Sequence, residues 1–178
     1  KTRVLYTESH WTRFAGSVPV DRTVLYRCAD GTPFARKEIR YSPSVVAPAF
    51  SFRDVRHDYQ EGLLWQDGKA SLWHSKDGIR KSKPLPAAPN LVADAGFDEF
   101  IRSRWSALSG KERQSLNFVL PSRLDSYSFS LKHGGKQLYR NEPALAFSLG
   151  LAGLLGLVAP DIEVWYSSDS RRLLRFKG

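Results

Sequence analysis

The stretch Ala144–Pro160, ALAFSLGLAGLLGLVAP, carries no charge in a chain where about a quarter of the residues are charged. How it is read decides the fold, because it is a membrane span, a buried packing element or the wall of an apolar site. Ala144–Ala159 as a helix would extend about 24 Å, short of the roughly 30 Å of a bilayer hydrocarbon core. Pro160 and Asp161 follow directly, without basic anchors, so the sequence predicts no transmembrane span.

Gly150, Gly153 and Gly156 recur every third residue, with Leu151, Leu154, Leu155 and Val158 at complementary positions. On a helix this pattern is apolar all round, with one side stripped of side chains so that a backbone or ligand can approach closely. Each glycine costs about 1 kcal/mol relative to alanine in a helix, so such a helix depends on its surroundings. The segment is therefore expected as an apolar helix, either plugging the concave side of a sheet or lining a cavity there.

The sheet is announced by turns. Asp30-Gly31, Asp67-Gly68 and Asp77-Gly78 fall between runs of strand character: 20–28 and 34–42, then 62–66, 69–74 and 79–85. Residues 4–14 alternate without a cleanly apolar face, as an edge strand would, and 50–61 reads as one further strand. The Pro-rich KPLPAAPN ends this meander.

An amphipathic helix follows, with Asp94 as its cap, Asp98 and Glu99 in the first turn, and Gly110 at its end. Phe97, Phe100, Ile101, Trp105 and Leu108 share one side. Further strands place Leu116, Phe118, Leu120, Tyr127, Phe129 and Leu131 inward, His133-Gly134-Gly135-Lys136 reads as a hairpin tip, and residues 162–177 form a last hairpin. The predicted fold is a single α+β domain over 1–178, mainly β: one curved antiparallel sheet of nine to eleven strands, a half-barrel or open barrel, with an amphipathic and an apolar helix on its concave side.

The charge balance is +9, with 17 arginines and 10 lysines. That surplus attracts polyanions in general. One cysteine, Cys28, excludes an intrachain disulfide. The four histidines stand apart and match no zinc spacing, so no metal or cofactor is expected. GxSxG, GxGxxG and P-loop patterns are missing. On a continuous strand His57 and Glu61 would share a face as a base and its orienting group, although Asp54, Arg56 and Asp58 more simply form an ion-pair ladder. Trp65 and Trp73 near Lys76, Arg80 and Lys81 would suit nucleic acid only if exposed; tryptophans in a sheet are more often core, so nucleic acid is disfavoured.

The runs YRCADGTPFARKEIRYS, FRDVRHDYQEG, LVADAGFDEFIRSRWSAL, FVLPSRLDSYSF and IEVWYSSDSRRLLRFKG together resemble a family of uncharacterised bacterial proteins predicted to be exported. The resemblance implies a periplasmic or envelope location, with a removed signal peptide before Lys1, and carries over no catalytic residue. A curved sheet with helices across its hollow is also like the half-barrels of lipid and lipoprotein carriers, by architecture alone.

The expected function is thus a non-enzymatic envelope protein binding a lipid-like, apolar or amphipathic ligand in the hollow. Gly150, Leu151, Leu154, Leu155, Val158, Phe118, Phe129 and Trp165 would form the wall, and Arg123, Arg171 and Arg172 would meet an anionic headgroup. The alternative is a ligand-free interaction protein whose basic surface docks on an anionic envelope polymer or a protein partner.

Overall fold

The computed structural model describes residues 3–152 and 162–178. The fold is mainly β with two short helices, and its residues group into two compact units. The first comprises Lys1–Ala87, Ala93–Gly96 and Val119–Ser126; the second comprises Ala88–Val92, Phe97–Phe118 and Tyr127–Gly178.

The first unit holds a seven-stranded antiparallel meander in chain order: β1 (Tyr6–Ala15), β2 (Val18–Cys28), β3 (Pro33–Arg40), β4 (Ala49–Asp54), β5 (Tyr59–Gln66), β6 (Lys69–Lys76) and β7 (Ile79–Leu85). Asp67 and Gly68, and likewise Asp77 and Gly78, both take positive φ, the geometry that tight two-residue hairpins demand. Along β2 to β6, side chains pointing to one face alternate into a core of Val24, Ile39, Phe50, Leu63 and Leu72, all buried.

The expected strand 50–61 is two strands, because the chain turns at Val55–Asp58, with Asp58 in the left-handed region. Its turn signal is a buried aspartate: Asp54 accepts hydrogen bonds from the Arg56 backbone (2.9 Å) and guanidinium (2.6 Å).

The core face of this sheet also encloses charge. Lys37 meets Asp94 at 2.5 Å, with both side chains largely buried, and its ammonium lies 5.7 Å from the Phe52 ring centre. Burial alone would push the Lys37 ammonium pKa down, but the Asp94 carboxylate, helped by Tyr26, more than reverses this and holds it above the usual lysine range. Asp94 is therefore not the helix cap that the sequence suggests; its carboxylate is engaged by Lys37 and by the Ala95 amide.

A second, six-stranded sheet contains β8 (Leu91–Val92), β9 (Gln114–Leu120), β10 (Asp125–Tyr139), β11 (Glu142–Leu151), β12 (Ile162–Ser167) and β13 (Leu173–Lys177), in the order β13-β12-β11-β10-β9-β8. It curls as a half-barrel. Two sheets thus replace the one expected, and β8 joins the second by parallel pairing with β9.

The amphipathic helix is present as α1 (Gly96–Ser103) and α2 (Trp105–Ser109), interrupted at Arg104. In the second unit its buried side chains include Phe100, Ile101 and Leu108. Trp105 packs edge-on against Phe147, and Tyr166 donates a hydrogen bond to Asp98 at 2.7 Å. Burial, reinforced by that carboxylate, lifts the Tyr166 phenol pKa well above its usual value.

The decisive segment is corrected here. Ala144–Leu151 is not helix but most of β11, a central strand paired with β10 on one side and β12 on the other. Ala144, Leu145, Ala146 and Phe147 are consecutively buried, because this strand is covered on both faces. A continuous apolar run has no period to report, so the same letters suit a two-sided strand and an all-round apolar helix. Leu154, Leu155 and Val158, with Gly153 and Gly156, lie outside the described residues.

The hairpin that feeds β11 turns at Arg140-Asn141, both at positive φ, and not at His133–Lys136. Gly134 and Gly135 instead form a bulge within β10.

Candidate functional site

That bulge builds a cleft in the second unit. Between Phe147 and Leu145, neighbours on one face of β11, the partners on β10 are His133 and Lys136. Residues three apart on a regular strand point to opposite faces; the extra residue at the bulge brings both onto one. Glycine suits both bulge positions. A Cβ at Gly134 would stand 3.2 Å from the Cβ of Ala146, and Gly135 has φ +105°.

The same face carries Phe147, Leu149, Val164 and Tyr166, and Trp105 of α2 packs on it. At its end lies an open cleft of about 710 Å3, lined by Ser109, Lys111, His133, Gly135, Lys136, Pro143, Leu145 and Ser168. Most of the exposed wall is carbon. Among the described residues, Lys111 and Lys136 are the charged lining residues, and no carboxylate is among them. His133 Nδ1 accepts the Gly135 amide at 3.0 Å, which places the neutral ring's proton on Nε2; the ring also packs edge-on against Phe147. Chemically this is an apolar trough with a cationic and hydroxyl-bearing rim.

The predicted wall residues divide. Phe118 and Phe129 pack on one another in a T-shape, and Phe97 from α1 packs on Phe118, so both lie on the helix-covered face. Leu151 pairs with Phe129 in the same row. Gly150 and Trp165 occupy the other face: Gly150 opposes Ser130, whereas Trp165 opposes Ala146, contacts Tyr139 and Arg175, and donates to Glu163. None of these five lines the cleft.

The predicted headgroup cations are also elsewhere. Arg171 lies over the Trp105 ring at 5.4 Å and Arg172 meets Glu142 at 3.2 Å, while Arg123 sits in a 3-10 turn, Pro121–Arg123, belonging to the first unit. What the sequence reading missed was Lys111, His133 and Lys136. For His133 and Lys136 the signal is the HGGK run, whose glycine pair denotes a turn or a bulge with the same letters.

The His57–Glu61 pairing is not assembled. His57 lies in the β4–β5 turn and borders an open depression of about 820 Å3 with Asp54, Asp58, Tyr59 and Lys76, whereas Glu61 is absent from that lining and accepts the Tyr59 hydroxyl at 2.7 Å. The continuous strand their meeting required does not exist. Arg56, paired with Asp54, stacks 3.4 Å above the Phe34 ring centre, and its hydrogen bonds hold the Asp54 carboxyl below the ordinary aspartate range. Among the described residues, no group of three or more His, Cys, Asp or Glu side chains is placed to hold a metal, and no helix is long and apolar enough to cross a membrane.

Fold and site together define a mainly β protein whose half-barrel unit carries an open, carbon-walled cleft with lysines at its edge. Comparison with protein-family models, curated proteins and solved structures returns no match.

Proposed function

We propose that the half-barrel unit binds an anionic amphiphile of lipid-like character, with its apolar part against Leu145 and Pro143 and its acidic group at Lys111 and Lys136. The reading rests on the cleft itself. At about 710 Å3 it falls in the ordinary range of small-molecule sites, roughly 300–1,000 Å3, and among the described residues two lysines and no carboxylate line it. Ser168 and the Nε2–H of His133 add hydrogen-bond donors for an oxyanion, whereas the Ser109 hydroxyl donates to backbone carbonyls of its own helix. Binding without chemical conversion suits this set. With Nδ1 accepting the Gly135 amide, the neutral ring carries its proton on Nε2 and offers a donor there in place of a base's lone pair. The bacterial envelope is the location that the family resemblance favours for such a carrier.

Native mass spectrometry of the protein purified from cells tests this reading. A co-purifying adduct of lipid mass, lost in the Lys111→Gln/Lys136→Gln variant and in Leu145→Trp, supports it. A bare chain mass, together with failure to bind a fluorescent fatty acid at micromolar concentration, rejects it.

A further inference from the structure

We propose that the solvent-facing side of the seven-stranded sheet is a docking surface for an anionic lipid bilayer. The strand register lays this face out in rows. One runs Ser9, Leu25, Arg36, Arg53, Gln60, Ser75, Arg80 across all seven strands; the next runs Trp11, Thr23, Glu38, Ser51, Gly62, Trp73, Ser82. With strands about 4.8 Å apart, each row is about 29 Å wide.

Arg13, Arg27, Arg40 and Lys69 stand on the same face, and among the described strand residues its carboxylates are Asp21 and Glu38. Both are already engaged, Asp21 by Arg13 and Glu38 by Arg36. The face therefore presents a net positive charge that its own acids do not cancel.

Arg36 and Arg53 sit directly opposite one another on adjacent central strands. Like charges in that relation destabilise a sheet, and an external anion between them reverses the sign. Two shallow hollows of about 190 and 250 Å3 are both bordered by this arginine pair. A third arginine, Arg80, lies 4.1 Å over the Trp73 ring, which itself fills the space above Gly62.

The occupant follows from how charge and apolar surface are mixed. A polymer threaded over a protein meets its cations along one track. Here they are dispersed over a broad face, and Trp11 (55% exposed) and Leu64 (45% exposed) project among them. Arginine with exposed tryptophan is the composition that enters a headgroup layer, where guanidinium meets phosphate and indole reaches the acyl boundary.

The test is sedimentation of the full chain with phosphatidylglycerol-containing vesicles against pure phosphatidylcholine vesicles. Binding is expected only with the anionic vesicles, falling as salt is raised. Each arginine near such a surface contributes about fivefold in partition, so Arg40→Gln/Arg53→Gln should lose about 25-fold. Trp11→Ala should weaken binding severalfold, with each variant keeping the parent circular-dichroism spectrum. Equal binding to neutral vesicles overturns the proposal, as does a double variant that binds like the parent. Loss caused by Lys111→Gln/Lys136→Gln in place of the sheet variants moves the activity to the cleft and also overturns it. Tighter binding to duplex DNA or dextran sulfate than to vesicles, indifferent to Trp11→Ala, identifies a polymer-binding face instead.

Discussion

The two sheets are specified by different parts of the chemistry. In the seven-stranded meander the turns carry the instruction: Asp67-Gly68 and Asp77-Gly78 state where the chain reverses, and the strands between them need only moderate alternation to find their register. In the half-barrel the turn before β11 is made by Arg140-Asn141, residues that do not announce it, and position is fixed by burial of Ala144–Phe147 between two neighbours. Where turn chemistry is explicit, sequence and structure agree. Where packing decides, they part.

That contrast predicts that damage to packing is most costly in the half-barrel. Phe147 is fully buried and packs with Trp105, His133 and Tyr166. Phe147→Ala should destabilise by about 4 kcal/mol, from lost transfer energy plus a residual cavity. Urea unfolding followed by tryptophan fluorescence would measure it. A loss under about 1 kcal/mol would break the comparison, because it would mean that β11 is not anchored by its core side chain.

The meander's largest debt to packing is the Lys37–Asp94 pair. Lys37→Ala strands a largely buried carboxylate, a change of about 3 kcal/mol in urea unfolding. The sign with pH follows from the raised folded-state pKa. Lysine is charged in both states below its unfolded value of about 10.4, so the contribution is complete there, and it declines only as pH rises through the folded value. The gap between parent and variant should stay level from neutral pH to about pH 10 and narrow only above that. Narrowing near neutrality would show that Lys37 is not held charged by Asp94.

How much of this was legible follows from the same contrast. The meander, its edge strand β1, the broken amphipathic helix and the final hairpin were readable, since each has either a turn pair or a period. The Asp94 cap failed because capping propensity is local and Lys37 lies 57 residues away. Asp54 and Arg56 looked like a ladder on a strand but close a turn onto each other. Phe118 and Phe129 follow their alternation onto the helix-covered face, although neither lines the cleft. His133 and Lys136 do not follow theirs, because a three-residue spacing shares a strand face only when a bulge intervenes, and Gly-Gly signals a bulge and a turn with the same letters.

A smaller effect probes the turns themselves. Gly78 has φ +76° and open space where a Cβ would stand, so Gly78→Ala adds only backbone strain, about 1 kcal/mol, with no clash. Gly135→Ala should cost more, about 2 kcal/mol, because its φ of +105° lies outside the left-handed well that Gly78 occupies. Chemical denaturation of the two variants ranks them. The reverse order would mean that the bulge yields more readily than the turn and that His133 and Lys136 are not rigidly presented.

The smallest expected effect is a gain. Arg140 and Asn141 hold φ of +47° and +69°, positions where two-residue hairpins favour asparagine followed by glycine. Arg140→Asn/Asn141→Gly writes the missing instruction into the sequence without touching the core. It should stabilise by about 0.5 kcal/mol, since the left-handed strain on arginine is relieved while glycine at the second position returns part of that gain as unfolded-state entropy. A rise in the urea midpoint of the double variant supports the geometry. A fall of about 1 kcal/mol or more would place the reversal elsewhere, and the strand that the apolar segment forms would lose the turn that delivers it.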